Sequence, residues 1–268
     1  MYRRSFVMLL TALACRPQER PARPPDLLSS GTWVDLSHEF SSETIYWPTA
    51  TPFDLEVVSA QRTPAGFYYA ANDFSTSEHG GTHLDAPIHF AEGKHTTDQI
   101  PLDRLVGTAV VVDLTAQANA DADYRLDVPA LEEWERAHGR IPDGTIVLVR
   151  TGWSDRWPDK ARYLGTAKTG AAGVAELRFP GIDSAAARWL ASERKVKAVG
   201  IDTPSIDYGR STTFDTHQIL LGANVPAFEN VAHLDRLPPT GAYVVALPMK
   251  IKGGSGGPLR IVALVPSP

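Results

Sequence analysis

The sequence predicts a mixed α/β fold that is rich in strands and has few helices. Hydrophobic residues make up 43% of the 268-residue chain, which is enough to build a sizeable core. The 21 glycines and 21 prolines exceed average usage and indicate many turns, which argues against an all-helical bundle. Short runs rich in Val, Ile, Tyr and Leu also outnumber the segments with helical signals.

Seven runs are predicted as strands, because each is rich in β-branched, aromatic or aliphatic residues and is bounded by Gly, Pro or Asp. In chain order they are 32–40, 66–74, 108–114, 145–150, 197–201, 242–251 and 260–265.

Helical signals occur in three places. Asp127 and Asp183 are predicted N-caps, because a carboxylate accepts hydrogen bonds from the free N–H groups of a first helical turn. The first helix is expected to stop before Gly139, a residue typical of helix ends. The predicted helices are 128–138, 184–193 and 215–221.

The charge and cysteine content exclude several classes of partner. The formal net charge is −5, and Lys and Arg are scattered along the chain, so neither a nucleic-acid footprint nor a polybasic membrane patch is present. Cys15 is the only cysteine, which excludes an intramolecular disulfide, a cysteine-ligated metal cluster and a thiol nucleophile in the body of the chain. We therefore expect a small-molecule partner, and any metal must be held by His, Asp and Glu.

The first 30 residues are predicted to be an export signal and a tether. Arg3 and Arg4 precede a short apolar run that ends at Cys15, as in a secretory signal of the bacterial lipoprotein type. An ordinary N-terminal helix is the alternative. The predicted division is a lipoprotein-like signal peptide over 1–15, a Pro-rich tether over 16–30 and a single domain over 31–268. This predicts an exported protein, periplasmic or anchored to the membrane through a lipid on Cys15.

Residues 79–95 contain four of the eight histidines. His79 and His83 have helical spacing, but Gly80, Gly81 and Pro87 disfavour a helix, so the segment is predicted to be a tight loop. A Gly-Gly turn lets the backbone fold closely, which allows the two imidazoles to converge on one point.

This loop predicts a metal site at His79, His83 and Asp85. Two imidazoles and one carboxylate suit Mn²⁺, Zn²⁺ or Fe²⁺. A divalent ion lowers the pKa of a bound water towards about 7, and a nearby histidine can then move protons to a leaving group. Such a site hydrolyses amides, lactams and esters without a protein nucleophile. The alternative is a set of surface-loop histidines with Asp85 as a turn former.

Residues 79–89, HGGTHLDAPIH, resemble a family signature. They are similar to the His-x-Gly-Thr-His-x-Asp-x-Pro-x-His motif of the cyclase family of metal-dependent hydrolases, which includes bacterial kynurenine formamidase and isatin hydrolase. The resemblance covers residues 32–265 and implies a swivelling β/β/α domain, usually assembled as a homodimer or higher homo-oligomer. Further similar segments are Trp47-Pro48, residues 201–207, and His217 followed by Glu229.

The resemblance also implies roles for individual residues. His89 would be the catalytic residue that transfers protons. In two-metal members of the family, the aspartate bridges to a second ion. The residues that would hold one or two ions of Mn²⁺ or Zn²⁺ are His79, His83, Asp85, His217 and Glu229.

Two classes of substrate remain open under this resemblance. The pair of His217 and Glu229 is similar to that of the formamidases and favours an arylformamide. The chain length and segment 201–207 are closer to the isatin hydrolases and favour a cyclic amide or lactam such as isatin. In either case a C–N amide bond is hydrolysed by a metal-activated water.

Four residues are candidates for substrate binding: Trp47, Phe74, Asp202 and Phe214. The aromatic side chains would form a wall for a planar substrate, with core packing as the alternative. Asp202 would line the pocket, or instead form a side-chain turn around Pro204.

Three further alternatives are open. Glu78 would orient an imidazole or stay a solvated loop residue. The run 253–258 would bind an anionic group through backbone amides or act as a flexible loop. Finally, the predicted tether motivates a competing hypothesis, a non-catalytic, metal-containing binding lipoprotein at the cell surface. The hydrolase is favoured over it because the metal ligands and the proton-transfer histidine are all retained.

Overall fold

A computed structural model describes residues 31–267 of the chain. The predicted signal peptide (1–15) and tether (16–30) lie outside the described residues. The strands in the described part are β1 Gly31–Asp35, β2 Asp54–Arg62, β3 Tyr68–Ser75, β4 His83–Asp85, β5 Val106–Asp113, β6 Arg125–Leu126, β7 Ile146–Arg150, β8 Gly181–Ile182, β9 Ala198–Ile201, β10 Ala227–Glu229, β11 Thr240–Pro248 and β12 Gly256–Pro266.

The α-helices in the same range are α1 Leu102–Leu105, α2 Thr115–Ala120, α3 Val128–His138, α4 Lys160–Leu164, α5 Gly170–Val174, α6 Ser184–Ser192 and α7 Asp215–Gly222. The three predicted helices are confirmed as α3, α6 and α7. Asp127 caps α3 and Asp183 caps α6, each through a side-chain oxygen that accepts a backbone N–H of the first turn. None of the helices in residues 31–267 is long and apolar enough to cross a membrane.

Seven strands close into a barrel in the order β12-β11-β5-β7-β9-β10-β4, with β4 pairing back onto β12. The run β5-β7-β9-β10 is parallel, and the other pairs in the barrel are antiparallel. β1 pairs with the C-terminal half of β12. The prediction of a strand-rich mixed sheet with few helices is therefore confirmed.

Successive residues of the central strands pack on opposite sides of the barrel wall, as the two-residue period of a strand requires. One set fills the barrel interior: Ala109, Val111, Ile146, Leu148, Val244 and Ile261. The other set packs outward against Leu131 of α3 and Leu190 of α6: Val110, Val112, Val147, Val149 and Val199. The parallel half of the barrel is thus buried on both faces, which explains why its strands read as continuous apolar runs.

Strands β2 and β3 form an antiparallel hairpin arm over residues 54–75 that pairs with no other strand in the described range. Its large apolar side chains are exposed: Leu55, Val57, Val58, Phe67, Tyr68, Tyr69 and Phe74. An isolated two-stranded hairpin is marginally stable in water, and a contiguous exposed apolar patch usually marks an interaction surface.

Several strand predictions differ from the structure. The predicted strand 32–40 ends at Asp35, because the chain then leaves the sheet and His38 N donates to the Thr82 hydroxyl instead of to a neighbouring strand. Strands β2, β4, β6, β8 and β10 were not predicted. Both β4 and β10 are three residues long, too short to show a period of their own.

Candidate active site

The loop before β4 brings two histidines together. Gly81 has a φ of 57°, in the left-handed region that favours glycine, and a Cβ at Gly80 would overlap the ring of Tyr46. Because the backbone folds this tightly, the ring centroids of His79 and His83 lie 5.4 Å apart. The predicted tight loop is confirmed.

Strands β4 and β10 place three polar side chains on one side of the sheet. His83 and Asp85 alternate with Leu84, whose side chain is fully buried in the barrel interior. Glu229 of β10 is the direct partner of His83 in the strand register. The polar group therefore faces outward from the barrel, towards α7.

The five predicted ligands lie together in one cluster centred on Asp85. One oxygen, Oδ1, lies 2.6 Å from His79 Nδ1 and 3.2 Å from His83 Nε2, while Oδ2 lies 3.2 Å from His217 Nε2. Glu229 closes the group, with Oε2 at 3.4 Å from His83 Nε2 and Oε1 at 3.3 Å from His217 Nε2. Within the described residues, two groups of three have ligand atoms close enough to hold a cation: His83, Asp85 and Glu229, and His79, Asp85 and His89.

The electrostatics of the cluster fit a cation. Burial alone would raise the pKa of Asp85, but the imidazoles around it hold that pKa well below the usual range. Burial and the charge of Asp85 raise the pKa of Glu229. Every ion-pair partner of these two carboxylates within residues 31–267 is a histidine, so no Lys or Arg there balances them. Two buried carboxylates with nitrogen and oxygen donors around them match the ligands of a divalent metal.

His217 is held in position by Asp207. Its Nδ1 lies 2.6 Å from Asp207 Oδ2, and the backbone N–H groups of Thr216 and His217 also donate to that carboxylate. The Nε2 atom is therefore the one directed at Asp85 and Glu229. A carboxylate behind a metal-binding histidine fixes the tautomer and the ring orientation.

His83 is oriented by its own loop. Its Nδ1 donates to the carbonyl oxygen of Gly81 at 2.9 Å, which leaves Nε2 to face the cluster. Burial alone would lower the pKa of this histidine, but the carboxylates of Asp85 and Glu229 raise it to about 9. A bound cation would replace the proton that this carboxylate environment stabilises.

His89 lies beside the cluster at the end of a short 3-10 helix over Pro87–His89. Its ring stacks on that of His79, with centroids 3.8 Å apart and planes within 19°. Burial, together with repulsion from the neighbouring imidazoles, lowers the pKa of His89 to about 4 against the opposing effect of Asp85. The ring is therefore neutral near pH 7.

A cavity of about 340 Å³ opens above these ligands. One wall is aromatic, because Phe214 lies 6.3 Å from Trp47 and 5.3 Å from Phe90 between ring centroids. Trp47 and Phe214 thus lie where the sequence analysis expected a substrate wall. None of the described residues that line the cavity is a Lys or Arg.

Two predicted substrate-binding residues lie elsewhere. Phe74 belongs to the hairpin arm, where it is 53% exposed and stacks on Phe53. Asp202 is buried and does not line the cavity. Its carboxylate accepts the backbone N–H groups of residues 151–153 and the Thr151 hydroxyl, so it fixes the turn after β7.

The sequence analysis also left out several residues of the site. Phe90 directly follows His89, so its position beside the signature was the available signal. Asp207 lies in the segment 201–207 that resembles the family, but its contact with His217 was not predicted. Asn230 lines the cavity with a φ of 54°, and its amide donates to the Gly81 carbonyl oxygen at 2.6 Å. Nothing local in the sequence marks that contact.

The chain is similar to known proteins across this region. The profile of a family described as "Putative cyclase" matches residues 34–208. An isatin hydrolase from Roseibium aggregatum is 34% identical over 209 residues, covering 75% of this chain and 77% of the relative. A kynurenine formamidase from Salinibacter ruber is 30% identical over 234 residues, covering 85% and 95%.

A solved structure is also similar to this chain in fold. Isatin hydrolase A from Ralstonia solanacearum superposes with a TM-score of 0.81 at 36% identity, covering 93% of this chain and 100% of that chain. This likeness confirms the fold that the signature at 79–89 implied.

Proposed function

The chain belongs to the cyclase family and is an amidohydrolase that acts on C–N bonds, and on this premise we propose that it hydrolyses a neutral, planar aromatic amide such as the lactam isatin. One observation carries the proposal. A group of three imidazoles and two carboxylates forms the floor of an aromatic cavity, and all of them except the partly exposed His79 are buried. The carboxylates have only histidines as ion-pair partners in the described chain.

The metal ligands are proposed as two overlapping sets. His79, His83 and Asp85 would hold one ion, and His217 with Glu229 would hold a second ion across Asp85. We propose Mn²⁺ or Zn²⁺, because both accept this mixture of imidazole and carboxylate donors. When bound, such an ion lowers the pKa of water and polarises a carbonyl oxygen.

His89 is the proposed proton carrier. It lines the cavity beside His79, and its neutral form can take a proton from the attacking water. Because its lowered pKa makes the protonated ring a good acid, it then gives the proton to the amide nitrogen as the C–N bond breaks. The oxygen of water stays on the carbonyl carbon, which leaves a carboxylic acid and an amine.

The lining of the cavity favours a lactam over an arylformamide amino acid. Trp47, Phe90 and Phe214 offer flat apolar surface, and no described lining residue carries a positive charge. N-formylkynurenine has a carboxylate that would lie without a basic partner, and an unpaired buried charge costs roughly 3–5 kcal/mol. Isatin is neutral and planar, so it avoids this cost.

The test is a comparison of the two substrates on Mn²⁺-loaded protein. We expect isatin to be hydrolysed with a kcat/KM at least about 10²-fold above that for N-formylkynurenine, as the unpaired charge implies. A higher kcat/KM for N-formylkynurenine would contradict the proposed substrate class. Tight binding of such ligands with no product from any amide would instead favour the non-catalytic binding lipoprotein.

We also propose that the protein is a homodimer assembled through the hairpin arm (54–75). The arm would contact a second copy of this chain, because the chain carries another exposed apolar surface on the outer side of β1 and β11. Trp33, Tyr243 and Leu247 are 45%, 40% and 47% exposed there. In a two-fold dimer the arm of each copy would cover this face of the other, so that both surfaces are buried at once.

Mass measurement in solution tests the dimer. The unmodified protein is expected to be dimeric at micromolar concentration. Val57→Lys combined with Tyr68→Lys is expected to give monomers, because both residues lie on one face of the arm and two charges would enter the apolar contact. Leu102→Lys is the matched control, since Leu102 is 72% exposed on α1. A monomeric unmodified protein, or arm variants that remain dimeric, would contradict the interface.

We also propose that the protein is exported. The signal-like segment 1–15 and Cys15 support a periplasmic or lipid-anchored location, with residues 16–30 as the tether. This setting suits an enzyme that acts on small molecules outside the cytoplasm.

A further inference from the structure

Glu78 and Ser255 form a polar pair behind His79. The Ser255 hydroxyl donates to Glu78 Oε2 at 2.6 Å, and Ser255 N donates to the same oxygen at 2.9 Å. On its other side, the same hydroxyl lies 2.9 Å from His79 Nε2. The three side chains thus form a chain that ends at the ring edge of His79 opposite Asp85.

The direction of these hydrogen bonds follows from the donors available. A hydroxyl has one proton and an ionised carboxylate only accepts, so Ser255 donates to Glu78 and must accept from His79 Nε2–H. Nδ1 is then the nitrogen left for the cluster, where it lies 2.6 Å from Asp85 Oδ1. The pair therefore fixes the ring orientation of His79, with Nδ1 directed at the cluster.

Glycines on both sides of Ser255 allow the contact between its hydroxyl and His79. A Cβ at Gly256 would lie 2.5 Å from His79 Cε1, and a Cβ at Gly254 would lie 2.8 Å from Glu78 Oε1. The Thr97 hydroxyl contacts the carbonyl oxygens of both glycines, at 3.1 and 3.0 Å. The close packing of these two glycines holds Ser255 against the loop that carries Glu78 and His79. The backbone N–H of Ser255 donates to Glu78.

Among the three histidines of the cluster, His79 depends most on such a support. Its side chain is 25% exposed, against 2% for His83 and 4% for His217. The other two are anchored directly, His83 by the Gly81 carbonyl and His217 by Asp207.

We propose that Ser255 and Glu78 are positioning residues that hold His79 ready for the metal, an inference that rests on the proposed function. Ser255 contacts the ring, and Glu78 acts through Ser255 by fixing the direction in which its hydroxyl points. Partners of this kind behind a metal ligand usually change metal affinity by about 10–100-fold when they are removed.

The test measures Mn²⁺ binding to metal-free protein by calorimetric titration, independently of turnover. Ser255→Ala and Glu78→Gln are each expected to weaken Mn²⁺ binding by about 10-fold or more. The glutamine amide can donate to Ser255 and so allow the opposite hydrogen-bond direction, which is why this variant is informative without a change in size. Ser192→Ala on α6 and Glu132→Gln on α3 are the matched controls.

The double variant shows whether Glu78 acts on metal binding through Ser255 or whether the two residues act independently. Because Glu78 acts through the hydroxyl, adding Glu78→Gln to Ser255→Ala should weaken binding no further, whereas independent structural damage would add. Additive losses, or unchanged affinity in both single variants, would overturn the positioning role. If Ser255→Ala does not fold, Glu78→Gln alone decides. An unmodified protein that binds no Mn²⁺ would contradict the proposed function itself, a result distinct from unchanged variants.

Discussion

Replacement of His83 by alanine is expected to abolish both metal binding and hydrolysis. The Nε2 atom of His83 lies between the two carboxylates, 3.2 Å from Asp85 and 3.4 Å from Glu229. The side chain is 2% exposed, so its removal leaves the buried carboxylates of Asp85 and Glu229 without the imidazole that lies between them. Elemental analysis of the purified variant should find no stoichiometric Mn²⁺ or Zn²⁺, and kcat/KM for isatin should fall below detection.

His138→Ala is the control for this variant, because His138 is exposed at the end of α3 and away from the cluster. The control should keep both metal and activity. A folded His83→Ala protein that still holds one equivalent of metal would remove His83 from the ligand set.

Replacement of His89 by alanine is expected to separate metal binding from catalysis. His89 stacks on His79 and lies near Asp85, but it forms no ion pair with a carboxylate of the cluster, so metal content should remain that of the unmodified protein. The chemical step should slow by about 10²–10⁴-fold, the usual contribution of general acid–base catalysis. Added imidazole should restore part of the lost rate, because the deletion leaves space next to the substrate.

His95→Ala serves as the comparison, since it removes a histidine of the same segment that has no assigned role. Full activity of His89→Ala would contradict the proton-transfer role. Loss of metal from this variant would place His89 among the ligands instead.

The three longest helices could be predicted because their signals are local, whereas the shorter helices α1, α2, α4 and α5 were missed. Helix α3 matches the predicted range 128–138 in full, with Asp127 at one end and Gly139 at the other. The short strands could not be predicted, because β4 and β10 exist only through pairing with each other and with distant strands. Within the hairpin arm, β3 was predicted as the strand 66–74, whereas β2 was missed because a bulge between Val57 and Ser59 interrupts its alternation of apolar and polar residues.

The same distinction applies to the active site. His79, His83, Asp85 and His89 lie within eleven residues, so their convergence could be inferred from the loop itself. Ser255 is 176 residues from His79 in the chain and meets it only because β12 closes the barrel against β4. Such a contact depends on the topology of the whole sheet, and no short stretch of sequence encodes it.

The central claim is that the cluster around Asp85 holds a divalent metal that hydrolysis requires. The most direct measurement strips the purified protein of metal, restores Mn²⁺ or Zn²⁺ separately, and follows isatin by absorbance while metal content is recorded. No turnover is expected in the stripped protein, and the rate should rise in proportion to bound metal. Full turnover without metal, or stripped protein that takes up neither ion, would contradict it.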